Sequence, residues 1–284
     1  MNFYLRLSIL SLFFLSASFG VVQLAKHSDN KIAKFIYQPR LHQVHAAAAT
    51  PVDAQDLWVP ILMYHHVGET PDYADSTRRD LTVSLSDFTT QVNWLAGQGF
   101  HSVTLEQVYQ ATQNRLVLPE KPIVFTFDDG YTDALTNVPG ILRSHGYTGS
   151  FGIITRYVGQ PDYATWDQIR NAQAQGMEIV SHTQDHFDGS SRKYNYEFIK
   201  ENLTGSQQDL AQELGIGSHI LIYPYGHFTA EYIQAAQDSG FDMALTVAYG
   251  SRVDPSNLMQ VPRVRVHGNE TLERFIEILT GAKS

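Results

Sequence analysis

Short apolar runs of strand length recur through residues 58–280, and most are followed by a stretch with helical patterning. The runs are Val59–Tyr64, Ile123–Phe127, Gly149–Thr155, Met177–Ser181, His219–Tyr223, Asp242–Val247 and Gln260–Val266. Helices are predicted over Leu85–Gln98, Thr104–Thr112, Ala134–His145 (through Pro139), Thr165–Gln175, Glu197–Leu214, Thr229–Ser239 and Leu272–Thr280. In the first of these Phe88, Val92 and Leu95 share one face, with Ser86 as the expected cap and Gly99 as the stop. A loop rich in Asp, Thr and Pro precedes it. Alternating strands and helices imply a parallel α/β sheet, because parallel neighbours need crossover connections. About seven such units in roughly 225 residues suit a small or incomplete (β/α) barrel better than two domains.

The strands end on polar residues. His65, Asp128-Asp129, His182 and Tyr225 all stand at C-terminal strand ends, which share one rim in a barrel. The central run, Ile123 to Phe127, passes directly into Asp128, Asp129, Gly130 and Tyr131. By itself this reads as an Asp-Gly turn closing a strand. Adjacent carboxylates at a rim can also divide two tasks, one binding a metal and one acting as a base.

Composition narrows the chemistry. The chain has no cysteine, which removes disulfides, thiolate nucleophiles and cysteine-held zinc. A metal would have to be held by carboxylates and the twelve histidines. The net charge of −9 argues against a nucleic-acid partner. Residues 1–25 are expected to be a signal peptide or an N-terminal membrane anchor: Arg6 precedes an apolar run beginning at Leu7. The rest of the chain is then exported, to the cell surface or beyond. Residues 26–57 read as a linker and residues 58–284 as the catalytic domain.

His182 and His186 stand four residues apart, so a helical turn or a tight loop would let both face one point. Two histidines and a carboxylate make a three-ligand site with open positions, suited to activating water. The same set serves iron oxygenases, against which the second, adjacent Asp and the barrel context argue.

These segments carry a family resemblance. Thr126-Phe127-Asp128-Asp129-Gly130, Ser181-His182-Thr183-Gln184-Asp185-His186 and Tyr223-Pro224-Tyr225-Gly226 resemble the leading motifs of the NodB-like polysaccharide deacetylases, carbohydrate esterase family 4. Pro60-Ile61-Leu62-Met63-Tyr64-His65-His66-Val67 resembles the circularly permuted subgroup that contains poly-β-1,6-N-acetylglucosamine deacetylases. The resemblance implies a distorted (β/α)7 barrel and hydrolysis of an N-acetyl group on a glycan. It assigns Asp128 as general base, Asp129, His182 and His186 as ligands of a divalent metal (Zn²⁺, with Co²⁺ or Ni²⁺ as alternatives), and His65 as general acid. It gives the Tyr225 backbone N–H a place at the oxyanion.

One departure stands out. Many relatives carry an arginine before the Pro-Tyr-Gly that orients the catalytic Asp, and here the sequence is Leu221-Ile222-Tyr223-Pro224. Arg263 is either its substitute or a surface residue. His66 is expected to pack rather than face the pocket, and Trp166 to be core rather than a sugar platform. Tyr73, Tyr157, Tyr163 and Tyr194 lie in loops that could line a groove. The expected partner is an N-acetylated glycan, with peptidoglycan and chitooligosaccharides as alternative substrates, and membrane attachment through residues 1–25 is left open. From another class, the alternative is a non-catalytic glycan-binding surface protein.

Overall fold

A computed structural model of the protein describes residues 57–281. The expected export segment and nearly all of the expected linker lie outside the described residues. Seven strands form the barrel: β1 (Ile61–Tyr64), β2 (Pro122–Phe127), β3 (Ser150–Ile153), β4 (Glu178–Ser181), β5 (Ile220–Ile222), β6 (Met243–Tyr249) and β7 (Val261–Arg265). Each is parallel to its neighbours, in the order β1-β7-β6-β5-β4-β3-β2, and β1 also pairs with β2, so the ring closes. The closing register runs Ile61↔Val124 to Tyr64↔Phe127 on one side of β1 and Val264↔Leu62 on the other. This is the parallel (β/α)7 barrel expected from the alternation of runs.

Among the described residues, eight α-helices accompany the strands: α1 (Ser76–Leu81), α2 (Leu85–Gly97), α3 (Leu105–Thr112), α4 (Thr132–Ser144), α5 (Trp166–Ala174), α6 (Tyr196–Leu214), α7 (Ala230–Asp238) and α8 (Leu272–Gly281). Two of these details differ from the sequence reading. Ser84, not Ser86, caps α2, accepting from the Asp87 N–H at 3.0 Å, so Ser86 falls inside the first turn. Helix α1 occupies what reads as a loop; it buries no residue and so leaves no apolar period, and Asp75 caps it through the Arg78 N–H at 2.7 Å. Helix α4 continues through Pro139, which is buried in it. Among the described residues, no helix is long and apolar enough to cross a membrane.

Alternation along each strand separates two cores. Leu62, Tyr64, Phe125 and Phe127 point outward and pack with α2 and α4 through Phe88, Val92, Leu135 and Val138. Ile61, Val124, Val180, Ile220, Ile222, Met243, Leu245 and Val261 fill the barrel. With a period of two residues, the next inward positions toward the C-terminal end are Met63 and His65 on β1, Thr126 and Asp128 on β2, His182 on β4, Val247 on β6 and Arg263 on β7. The apolar filling therefore gives way, layer by layer, to polar groups aimed at one point.

Candidate active site

Asp128 and Arg263 form the floor. The Arg263 side chain is buried, with the whole residue 1% exposed, so the surface reading of this arginine is wrong. Its Nη1 donates to Asp128 Oδ1 and its Nη2 to Asp128 Oδ2, both at 2.7 Å. Two further donors are used: Nε bonds the Thr246 carbonyl at 2.8 Å, and Nη1 reaches Thr126 Oγ1 at 3.0 Å. Thr126 in turn donates to the Leu62 carbonyl at 2.7 Å. A guanidinium this deep needs each of those acceptors. Burial alone would raise the Asp128 pKa, but the charge and hydrogen bonds of Arg263 hold it below the ordinary carboxylate value. Asp128 is thus kept ionised and in one orientation.

Asp129, His182 and His186 stand beside it. Asp129 Oδ1 lies 3.1 Å from His182 Nε2 and 3.2 Å from His186 Nε2. One ligand atom from each of the three lies within 4.8 Å of the others. His182 Nδ1 donates to the Ile222 carbonyl at 2.8 Å, which orients the ring and aims Nε2 at Asp129. The His182–His186 spacing is realised as a tight loop, not a helical turn, with Thr183 at φ 67° and His186 at φ 52°. Asn202 on α6 ties that loop down: its Oδ1 accepts from the Gln184 N–H at 2.8 Å, and its Nδ2 donates to Asp185 Oδ2 at 2.7 Å. Burial would raise the Asp129 pKa, yet hydrogen bonds from His182 and His186 hold it well below the ordinary value. Two imidazole nitrogens and an ionised carboxylate, converging and oriented from behind, fit a divalent cation; with no sulfur in the set, Zn²⁺, Co²⁺ and Ni²⁺ all suit it.

His65 completes the cluster. Its Nε2 lies 4.0 Å from Asp128 Oδ2, and burial pushes its pKa down although Asp128 and Asp129 pull it upward. Tyr225 stands on the opposite wall, 54% exposed, its ring 4.6 Å from that of His186. Its φ of 58° is left-handed. Gly226 follows at φ 69°, where an added Cβ would sit 2.5 Å from Val247 Cγ2, so only glycine lets the chain pass β6 here. Of the seven non-glycine residues with positive φ among those described, Asp129, Thr183, His186 and Tyr225 are all in this cluster. Backbone strain concentrated in this way marks a site that the surrounding fold over-determines.

His65, Asp128, Asp129, His182, His186 and Tyr225 line a cavity of about 640 Å³ that also takes in Tyr131, Tyr157 and Tyr163, while Arg263 lies behind its wall. Tyr73 and Tyr194, expected as further groove candidates, do not line it. Tyr73 is exposed, and Tyr194 stacks on Phe198 at 4.6 Å. His66 packs, as expected: its ring stacks on Tyr131 at 3.5 Å, and Nδ1 lies 2.9 Å from Asp133 Oδ2. Trp166 packs against the outer core. Sequence reasoning passed over Asn202 and Tyr131. The available signals were an asparagine among the buried positions of an amphipathic helix and an aromatic directly after the Asp pair.

Comparison with known proteins agrees with this geometry. The family model described as "Polysaccharide deacetylase" matches residues 116–244. The Bacillus subtilis (strain 168) protein YxkH is 26% identical over 208 residues, covering 73% of this chain and 71% of that one. The poly-beta-1,6-N-acetyl-D-glucosamine N-deacetylase of Escherichia coli (strain K12) is 27% identical over 241 residues; 70% of this chain matches 36% of that protein's length. Among solved structures, a polysaccharide deacetylase from Bacillus cereus superimposes with a TM-score of 0.69 at 26% identity, covering 79% of this chain and 69% of that chain.

Proposed function

We infer that this chain, which belongs to the polysaccharide deacetylase family and is a hydrolytic N-deacetylase, acts on poly-β-1,6-N-acetylglucosamine at the cell envelope. The observation that carries the chemistry is the placement of an arginine-clamped carboxylate, Asp128, next to the Asp129, His182 and His186 set. The substrate rests on likeness alone: the matching Escherichia coli protein acts on that polymer, and the present chain spans only 36% of its length.

A divalent ion held by Asp129, His182 and His186 would supply an acidified water and polarise the acetyl carbonyl. The chain's own residues do the rest. Asp128, ionised and fixed by Arg263, takes the proton from the attacking water as the C–O bond forms. The Tyr225 N–H donates to the oxygen that gains charge. His65, its Nε2 4.0 Å from Asp128 Oδ2, passes the proton taken up by Asp128 on to the nitrogen as the C–N bond breaks, giving acetate and a free amine. Residues 1–25 serve as the export signal or anchor, and fractionation of the expressed protein tests that assignment.

The test is acetate release from β-1,6-linked N-acetylglucosamine oligomers, with β-1,4-linked chitooligomers and peptidoglycan alongside, each with added Zn²⁺ and with chelator. We expect release that depends on metal and favours the β-1,6 series. Release from β-1,4 substrates alone would overturn the polymer and keep the chemistry. No release from any substrate, with metal bound, would favour a glycan-binding protein.

A further inference from the structure

Strand β6 is longer than its neighbours. Its first four residues are buried, and its last three, Val247, Ala248 and Tyr249, are exposed above the barrel rim. Val247 is 42% and Tyr249 57% exposed, and both face a second cavity of about 580 Å³. That cavity and the Asp128 cavity share Val247 and Arg265 in their walls, so they are two parts of one groove.

The far part is built for a polar ring. Tyr249 is not loose: its hydroxyl donates to the Ile278 carbonyl of α8 at 2.5 Å, which holds the ring in place while leaving much of it uncovered. A fixed, exposed aromatic presents an apolar face at little entropic cost. Around it stand paired charges. Arg265 and His267 both bind Asp80, at 2.5 and 2.7 Å, and Arg274 binds Glu277 at 3.0 Å. Balanced cations and anions attract no net charge, but they offer donors and acceptors to hydroxyls. An aromatic face with mixed polar partners matches a neutral sugar, whose ring has an apolar C–H face and a polar edge.

We propose that the cavity bounded by Val247, Tyr249, Arg265, His267, Arg274 and Glu277 is a subsite for a further, neutral sugar unit of the glycan whose acetylated unit lies in the Asp128 cavity. This rests on the deacetylase reading and adds a length requirement to it. A single sugar fills only the near part of the groove, and a longer chain fills both.

The experiment measures binding and turnover separately. Titration calorimetry on the full chain compares dimers with hexamers of N-acetylglucosamine, in both the β-1,6 and β-1,4 series, for wild type, Tyr249→Ala and Arg274→Ala. In wild type the hexamer binds more tightly than the dimer. Tyr249→Ala lowers the hexamer-to-dimer affinity ratio about five- to tenfold, and Arg274→Ala, on an exposed side chain that spares the fold, lowers it less. Acetate release is read on the same ligands, and the hexamer-to-dimer ratio of kcat/KM falls in parallel. A wild-type hexamer that binds no more tightly than the dimer in either series overturns the subsite, as does a ratio unchanged in both variants. Absence of acetate release with the binding ratio intact overturns the deacetylase reading and keeps the sugar subsite.

Discussion

Two carboxylates stand at opposite ends of the same barrel, Asp128 buried and Glu178 half-buried, and their pKa values are shifted in opposite directions. Asp128, at the C-terminal rim, has a cation: Arg263 grips both of its oxygens, and its pKa lies below the ordinary value. Glu178, at the start of β4, has none. Its oxygens accept the Leu105 and Glu106 N–H groups at the first turn of α3, at 2.8 and 2.9 Å, and the Ser150 hydroxyl as well. Burial outweighs those three donors, and its pKa is raised. Glu178 thus pins α3 to the bottom of the barrel, where α3 already has its own capping box from Thr104 and Gln107. Burial by itself does not mark a carboxylate as catalytic. The partner does: a guanidinium keeps the group charged and ready to accept a proton, whereas a helix terminus uses it as a bracket.

Four substitutions sharpen or break this contrast. The largest effect belongs to Asp128→Asn, which keeps the shape and removes the proton acceptor. Turnover should fall about 10²- to 10⁴-fold. Bound metal, read by elemental analysis, should be retained. Near-normal acetate release from this variant would remove Asp128 from the mechanism.

Arg263→Lys comes next. A single ammonium cannot reproduce the two-pronged grip. The rate should drop about tenfold or more, and the acidic limb of the kcat/KM profile should move to higher pH. The sign follows from the cause: Arg263 depresses the Asp128 pKa, so weakening it lets the carboxyl protonate earlier as pH falls. A pH profile that stays in place would mean that Arg263 holds the barrel together without tuning the base.

Glu178→Gln should leave the pH profile of turnover where it is and cost about 1–3 kcal/mol in denaturant unfolding, because one oxygen gives way to a donor facing a donor. Its pH dependence is the sharper test. A carboxyl with a raised folded pKa contributes stability that is lost as pH rises past the unfolded value, about 4.3. The variant has no such loss, so the stability gap between variant and wild type should narrow with rising pH. A gap that widened would put Glu178 in the same class as Asp128.

The smallest effect is reserved for an exposed pair outside both regions. Arg170→Ala breaks the contacts to Asp167 and Glu213 on the surface of α5. It should leave both the denaturant midpoint and the activity close to wild type.

Much of the barrel was legible in the sequence because each strand is an apolar run that stops on a polar residue. Inward positions are filled by Val, Ile, Leu and Met until the rim, where the same parity delivers Asp128, His182 and His65. Strand pairing was another matter. Nothing in the local pattern of Ile61–Tyr64 says that it lies between β2 and β7. Arg263 was undecidable for the same reason: Val261-Pro262-Arg263-Val264-Arg265 reads equally as a strand with outward or inward arginines. Its partner lies 135 residues away. Helix α1 left no signal because it buries nothing. Glu178 was visible as a residue within the Met177–Ser181 run, but its role depends on α3, whose N–H groups it meets across more than seventy positions.

The ring closes through its first strand, and this has a consequence for how the protein comes into being. β1 is made early, yet one of its edges waits for β7, the last strand of the barrel. Until β7 is added, Asp128 lacks its guanidinium partner, and β1 and β6 each keep an open edge. Such edges invite pairing with other chains. Contacts this distant in sequence are slow to form. A chain cut short before Arg263 is therefore expected to be an aggregation-prone open sheet rather than a weaker enzyme, and the base becomes usable only at the moment the molecule becomes safe from its neighbours.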